Sequence, residues 1–286
     1  MEFTTLRNGV TIPMVGYGVF QIPEDETARC VREAIEAGYR HIDTAQSYFN
    51  ERQVGEGIRE SSIDRKDLFV TTKVWISHYG DGKTRESVED SLRKLGTDYL
   101  DLVLLHQPFN DRYGAWRDLE RLYDEGKIRA IGVSNFGLDQ LNDLGAFNDV
   151  APMVNQVETN PLNQQIETHD WMAAHNVAQE AWAPFGEGRN NLFHNELLAQ
   201  IGEAHGKSVA QVILRWLTQR GIVALAKSTH KDRMEQNLDI FDFTLTDDEM
   251  ADIATLDTKT SLFFDHRDPE TVEMFVRMVK AREGRA

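Results

Sequence analysis

The sequence predicts an α/β fold of the (β/α)8 TIM-barrel type, running as a single domain over residues 1–286. Three observations carry this expectation. Short apolar runs alternate with amphipathic stretches along nearly the whole chain. Eight of those runs begin near Val15, Tyr39, Leu68, Tyr99, Ala130, Met153, Val177 and Ile222. Their spacing is roughly 25 to 30 residues, with one longer gap before the last, as a barrel of ~250 residues requires. No linker or low-complexity stretch divides the chain. A doubly wound sheet is the alternative. It has fewer strands and a Gly-rich first turn, of which Gly16-Tyr17-Gly18 is only a fragment.

Each element has a local reason. Residues 3–13 read as a hairpin turning at Asn8-Gly9, placed before the first barrel strand where it could plug the barrel bottom. Ala28, Val31, Ala34 and Ile35 form a helical stripe with Cys30 on its flank, so Cys30 reads as a partly buried thiol rather than a nucleophile. Val88, Leu92 and Leu95 recur at helical spacing. Ala115, Leu119, Leu122 and Tyr123 do the same, and Gly126 ends that helix. Thr246 and Glu249 form a capping box, with Leu245 and Met250 as its apolar staple. The tail Ser261-Leu262-Phe263-Phe264-Asp265-His266-Arg267 puts two adjacent aromatics outside any helical period. A tail over the barrel mouth would let them line a pocket; packing on the barrel wall is the other possibility.

Composition narrows the function classes. Apolar residues make up 41 % of the 286 positions and Pro only 7, which is a globular composition. A formal charge of −16 argues against a general nucleic-acid surface. No apolar run approaches the ~20 residues of a membrane span, and the first residues lack a signal-peptide core. With one cysteine the chain forms no internal disulfide, in keeping with a cytoplasmic protein.

Asp43, Tyr48, Lys73 and His106 each fall at or just after the C-terminal end of a separate apolar run. Parallel strands bring such positions to one rim. Together the four side chains can place and move a proton beside a polarised carbonyl.

Longer strings surround them: His41-Ile42-Asp43-Thr44-Ala45-Gln46-Ser47-Tyr48 leading into Asn50-Glu51-Arg52-Gln53-Val54-Gly55, Thr72-Lys73-Val74-Trp75, Asp98-Tyr99-Leu100-Asp101-Leu102, and Gly126-Lys127-Ile128-Arg129-Ala130-Ile131-Gly132-Val133-Ser134-Asn135-Phe136. In this order, from about residue 5 to 270, they resemble the aldo-keto reductases, and most of all bacterial members related to the 2,5-diketo-gluconate reductases. The resemblance implies reduction of aldehydes and ketones with NADPH, without metal or flavin. It also implies roles. Tyr48 would be the general acid. Lys73 would stabilise its phenolate and lower a pKa of ~10. Asp43 would compensate Lys73, and neutral His106 would hold the carbonyl oxygen.

The resemblance extends to the cofactor. Ser134, Asn135 and Gln156 would hydrogen-bond the nicotinamide carboxamide, and Trp182 would stack on the ring where many relatives place Tyr. Lys227, Ser228, Thr229 and Arg233 would hold a 2′-phosphate near a helix start. Gln236 and Asn237 would face the adenine. Some positions depart from the family pattern. Ala226 replaces a Pro, Gln236 a Glu, Gln107 a Trp after the catalytic His, and Phe49 a Gly after the catalytic Tyr. Phe20, Trp75, Phe109, Trp182 and either Phe263 or Phe264 are expected pocket walls.

Two readings from other classes compete. One is a nucleotide-binding regulatory subunit on the same barrel, which would need an exposed apolar patch and an oligomer. The other is a metal-dependent hydrolase using His41 and Asp43, which would need further ligands and would place Lys73 among them. The expectation is a monomer acting on a small-molecule carbonyl substrate, with neither a nucleic-acid nor a membrane partner.

Overall fold

The computed structural model describes residues 1–283. Two short strands open the chain, β1 (Phe3–Thr5) and β2 (Thr11–Pro13), paired antiparallel. Gly9 takes φ +87 in the turn between them, a conformation that favours glycine. Leu6 and Ile12 are buried, and β2 runs directly into β3 (Val15–Gly18) at its N-terminal end. The hairpin therefore sits at the barrel bottom.

The other strands are β4 (His41–Asp43), β5 (Phe69–Val74), β6 (Leu102–Leu105), β7 (Ile131–Ser134), β8 (Val154–Glu158), β9 (Ala178–Trp182) and β10 (Val223–Ala226). All eight of the expected barrel strands form. They pair in parallel in chain order, and β10 closes on β3. Residues of β5, β6 and β7 are buried throughout, as strands covered on both faces must be.

Helices cover the outside. Helix Lys83–Leu95 buries Val88, Leu92 and Leu95 and ends at Gly96 in a left-handed cap. Helix Arg112–Asp124 buries Ala115, Leu119 and Leu122, and Gly126 follows its last turn at φ +73. The capping box of Thr246 and Glu249 opens helix Asp247–Ala254, with Leu245 buried beside it. Cys30, on helix Glu24–Ala37, is fully rather than partly buried, because its stripe packs under Tyr17 and the neighbouring helix. The long gap before β10 holds the short helical segment Gly186–His194 and helices Glu196–His205 and Val209–Gln219.

The end of the chain adds something the periodicity reading missed. Residues 269–283 form a helix, Pro269–Glu283, whose Met274, Phe275 and Met278 join the cavity wall. The tail before it crosses the barrel mouth. Glu158, at the end of β8, accepts from Ser261 Oγ at 2.5 Å and from the Leu262 amide at 3.0 Å. Arg189 donates to the Leu262 carbonyl at 2.7 Å and lies over the Phe263 ring at 4.2 Å. No described helix is long and apolar enough to cross a membrane.

Candidate active site

Strand alternation puts His41 and Asp43 on one face of β4, and Thr71 and Lys73 on one face of β5. In a closed barrel that face is the interior. A buried ammonium there needs compensation, and it has three acceptors. Lys73 Nζ donates to Asp43 Oδ1 at 2.5 Å, to the Thr44 carbonyl at 2.9 Å and to the Tyr48 hydroxyl at 3.2 Å. The other Asp43 oxygen accepts from Gln156 Nε2 at 3.1 Å.

Tyr48 ends the short turn Gln46–Tyr48 that follows β4. Phe49 then takes φ +62, which explains why glycine suits the position. Its ring is 70 % exposed and does not line the cavity, so it adds no bulk there. His106 follows β6. Its Nδ1 lies 3.3 Å from Ser47 Oγ, and its ring meets Tyr48 and Trp75 edge-on at centroid distances of 5.7 and 5.5 Å. Asp43, Tyr48, Lys73 and His106 are thus one constellation.

Its electrostatics differ from the sequence expectation in one respect. Burial raises the Tyr48 phenol above its ordinary value, and the Lys73 ammonium opposes this without overcoming it. The phenol therefore keeps its proton at neutral pH. Burial would depress Lys73, but Asp43 and Tyr48 together hold it above the ordinary lysine value. Asp43 is raised by burial despite Lys73 and Gln156.

The site opens into a cavity of about 700 Å³ at the C-terminal rim. Asp43, Tyr48, His106, Ser134, Asn135, Gln156, Trp182, Lys227 and Arg233 all line it. Lys73 sits beneath, fully buried. Ser228, Thr229, Gln236 and Asn237 do not line it. Ser228 is buried and bonds within its own turn, its Oγ accepting from the His230 amide at 3.0 Å. Gln236 is exposed and Asn237 is buried. Of the expected walls, Phe20, Trp75, Trp182, Phe263 and Phe264 line the cavity, so the tail aromatics face the mouth. Phe109 does not, because it packs behind against Phe275 and His266.

Several site residues escaped sequence reasoning: Ser47, Glu158, Glu180, His266 and the loop 186–194. Glu158, two positions after Gln156, and Glu180 had a signal. Glu180 is an ionisable residue inside an apolar run, two positions before Trp182 and hence on the same strand face. Among the described residues no group of three or more His, Cys, Asp or Glu is arranged to hold a metal ion.

Comparison with known proteins agrees with this geometry. The family model described as "Aldo/keto reductase family" matches residues 14–258. A 9,11-endoperoxide prostaglandin H2 reductase of Trypanosoma cruzi (strain CL Brener) is 48 % identical over 255 residues, covering 88 % of this chain and 90 % of the relative. A glyoxal reductase of Bacillus subtilis (strain 168) is 48 % identical over 253 residues, covering 88 % and 91 %. The crystal structure of a Bombyx mori aldo-keto reductase in complex with NADP superposes with a TM-score of 0.88 at 35 % identity, covering 92 % of this chain and 95 % of that one. The closed parallel barrel, the buried lysine at its rim and this breadth of sequence identity place the chain in the aldo/keto reductase family.

Proposed function

We propose that this chain is an NADPH-dependent reductase of aldehydes and ketones, of a bacterial branch near the 2,5-diketo-gluconate reductases, working as a monomer with Tyr48 as general acid. One observation carries the reading. The Asp43–Lys73–Tyr48 chain lies at the floor of a cavity walled in part by aromatic rings, with His106 beside it. A relative named as a glyoxal reductase, and a neighbour solved with NADP, support it.

The cavity suits the cofactor in its donor set. Lys227 and Arg233 are exposed on its wall and make no salt bridge among the described residues, so two cations are available to a phosphate. Trp182 offers a flat ring, and Gln156, Ser134 and Asn135 offer amide and hydroxyl groups. Bound NADPH would supply the hydride to the carbonyl carbon.

The chain's residues then manage the oxygen. His106 and Tyr48 flank the position where a carbonyl oxygen can sit, and Tyr48 holds its proton because burial keeps the phenol neutral. As negative charge grows on the oxygen, the phenol gives up that proton. The Lys73 ammonium, 3.2 Å from the phenol oxygen, stabilises the phenolate that remains. Asp43 keeps Lys73 charged and fixed. Phe20, Trp75, Phe263 and Phe264 give the cavity around the exchange an apolar wall.

The test is loss of NADPH absorbance with a carbonyl panel of sugars, keto acids, α-dicarbonyls and aromatic aldehydes, with and without a chelator. Turnover insensitive to chelator supports the reading. No oxidation of NADPH by any member would contradict it and favour a regulatory subunit.

A further inference from the structure

Beneath the Asp43–Lys73 pair the barrel interior holds two more titratable side chains, His41 and Glu180, both fully buried. His41 Nε2 lies 3.0 Å from Thr71 Oγ1. Glu180 Oε2 accepts from Gln156 Nε2 at 2.9 Å, and the same nitrogen donates to Asp43 Oδ2 at 3.1 Å. Glu180 Oε1 has no hydrogen-bond partner and lies 3.9 Å from His41 Nε2.

This arrangement sets the polarity of the Gln156 amide. Asp43, paired with Lys73, is an acceptor, so the atom facing it must be the nitrogen. That nitrogen has two hydrogens, and both point to carboxyl groups. The side-chain oxygen of Gln156, Oε1, accepts from no described residue, and Gln156 lines the cavity.

We propose that Glu180 is a positioning residue: it takes one amide hydrogen of Gln156 while Asp43 takes the other, so that the Gln156 oxygen is presented to the cavity as the acceptor for the N–H of a primary carboxamide. The inference rests on the reading that a nicotinamide nucleotide binds here. A second carboxylate beside Asp43 would be costly, and the surroundings avoid it. Burial foremost, and then the Asp43 charge, push the Glu180 carboxyl up to about 8, against Gln156 and Lys73. Burial holds His41 down at about 3, helped by the Lys73 charge. Near pH 7 the inner layer is therefore uncharged, and β10, the other neighbour of β9, contributes no ionisable residue.

Two variants and one analogue test this. NADPH and 2′,5′-ADP, which lacks the nicotinamide, are titrated by quenching of tryptophan fluorescence. Glu180→Leu removes the acceptor and should weaken NADPH about three- to tenfold, the effect of one lost hydrogen bond, while 2′,5′-ADP binds as to the parent. Glu180→Gln keeps an acceptor oxygen and should restore NADPH affinity. The parent should also prefer NADP to its 3-acetylpyridine analogue, which has no carboxamide N–H. Glu180→Leu that binds NADPH like the parent overturns the proposal, as does equal loss for both ligands, which would mean a barrel support only. Should that variant fail to fold, equal affinity of the parent for NADP and the analogue overturns it alone. A parent that binds neither NADPH nor 2′,5′-ADP defeats the nucleotide reading itself, and this inference with it.

Discussion

His266 Nε2 lies 2.9 Å from Gln107 Oε1 and ties the C-terminal tail to the end of β6. The direction of that bond follows from Trp182, whose indole N–H can only donate. It donates to Asn135 Oδ1 at 2.8 Å, which leaves Asn135 Nδ2 to donate to the His106 carbonyl at 3.1 Å and toward Gln107 Oε1 at 3.5 Å. The Gln107 oxygen is thus an acceptor on both sides, and His266 gives its Nε2 proton. Burial pushes His266 down to about 4, with Asp265 opposing, so the ring is neutral at pH 7.

Loss of this tie should be felt by the carbonyl substrate, because the tail carries Phe263, Phe264 and Phe275 in the cavity wall. For His266→Ala we expect KM for a carbonyl substrate to rise about three- to tenfold, the effect of one buried hydrogen bond. Binding of 2′,5′-ADP should be unchanged. Steady-state kinetics and a nucleotide titration check both halves; an unaltered substrate KM would show that the tail stays seated without it.

Lys73→Met should damage both fold and activity. It removes the only ammonium that, among the described residues, faces the Asp43 carboxylate, at 2.5 Å, and leaves that group buried. Breaking a buried pair by one partner costs about 3–5 kcal/mol, measurable by denaturant unfolding. Tyr48 also loses the charge that stabilises its phenolate. A variant as stable as the parent would mean the carboxylate finds another partner.

The contrast between what was legible and what was not is physical. The eight strands announced themselves because a parallel strand covered on both faces must be an apolar run, as Leu102–Leu105 is. Asp43, Lys73 and His106 stood out because charge at the end of such a run is unusual. His266 did not, because its meaning lies in a contact across 159 positions of sequence, and Glu180, though an ionisable residue inside an apolar run, shows its role only through its bond to Gln156. The helix Pro269–Glu283 was missed although Met274, Phe275 and Met278 have helical spacing. Its apolar face packs on the tail and cavity, not on a strand of the repeat. The Tyr48 direction was missed because burial, which outweighs Lys73, is not visible before folding.

Cofactor choice should depend on Arg233. It lies on the cavity wall in helix Lys231–Leu238 and makes no salt bridge among the described residues. Arg233→Ala should raise KM for NADPH far more than for NADH, because only NADPH carries the 2′-phosphate. The parent should favour NADPH by roughly a hundredfold if two charge-assisted contacts contribute. Equal losses for the two cofactors would move Arg233 to the shared part of the nucleotide.

Stability should fall between pH 6.5 and 8. Glu180, held near 8 in the fold against an ordinary value near 4.5, keeps a proton that the unfolded chain releases. The folded state then binds more protons, so unfolding becomes easier as pH rises, by at most about 1.4 kcal/mol per pH unit. His41, pushed down to about 3, acts oppositely and only below about 6.5, where the unfolded chain binds the proton. Glu180→Gln should therefore flatten the decline above pH 6.5 and, because the Glu180 window opens near 4.5, uncover between about pH 5 and 6.5 the rise with pH that His41 contributes and Glu180 offsets in the parent. Urea unfolding of parent and variant across pH 5 to 8.5 reads both limbs; parallel curves would show that Glu180 is already ionised at neutral pH.

The account turns on Tyr48 as the proton donor, and one comparison tests that most directly: single-turnover reduction of an aromatic aldehyde by parent and Tyr48→Phe, both saturated with NADPH. The substitution removes one oxygen from a side chain otherwise held by Phe20 and His106 packing, so the fold and nucleotide affinity should persist. The account predicts a fall of about 10²–10⁴ in the rate of the chemical step with an unchanged Kd for NADPH. Turnover by Tyr48→Phe at the parent rate would contradict it and place the acid elsewhere in the cavity.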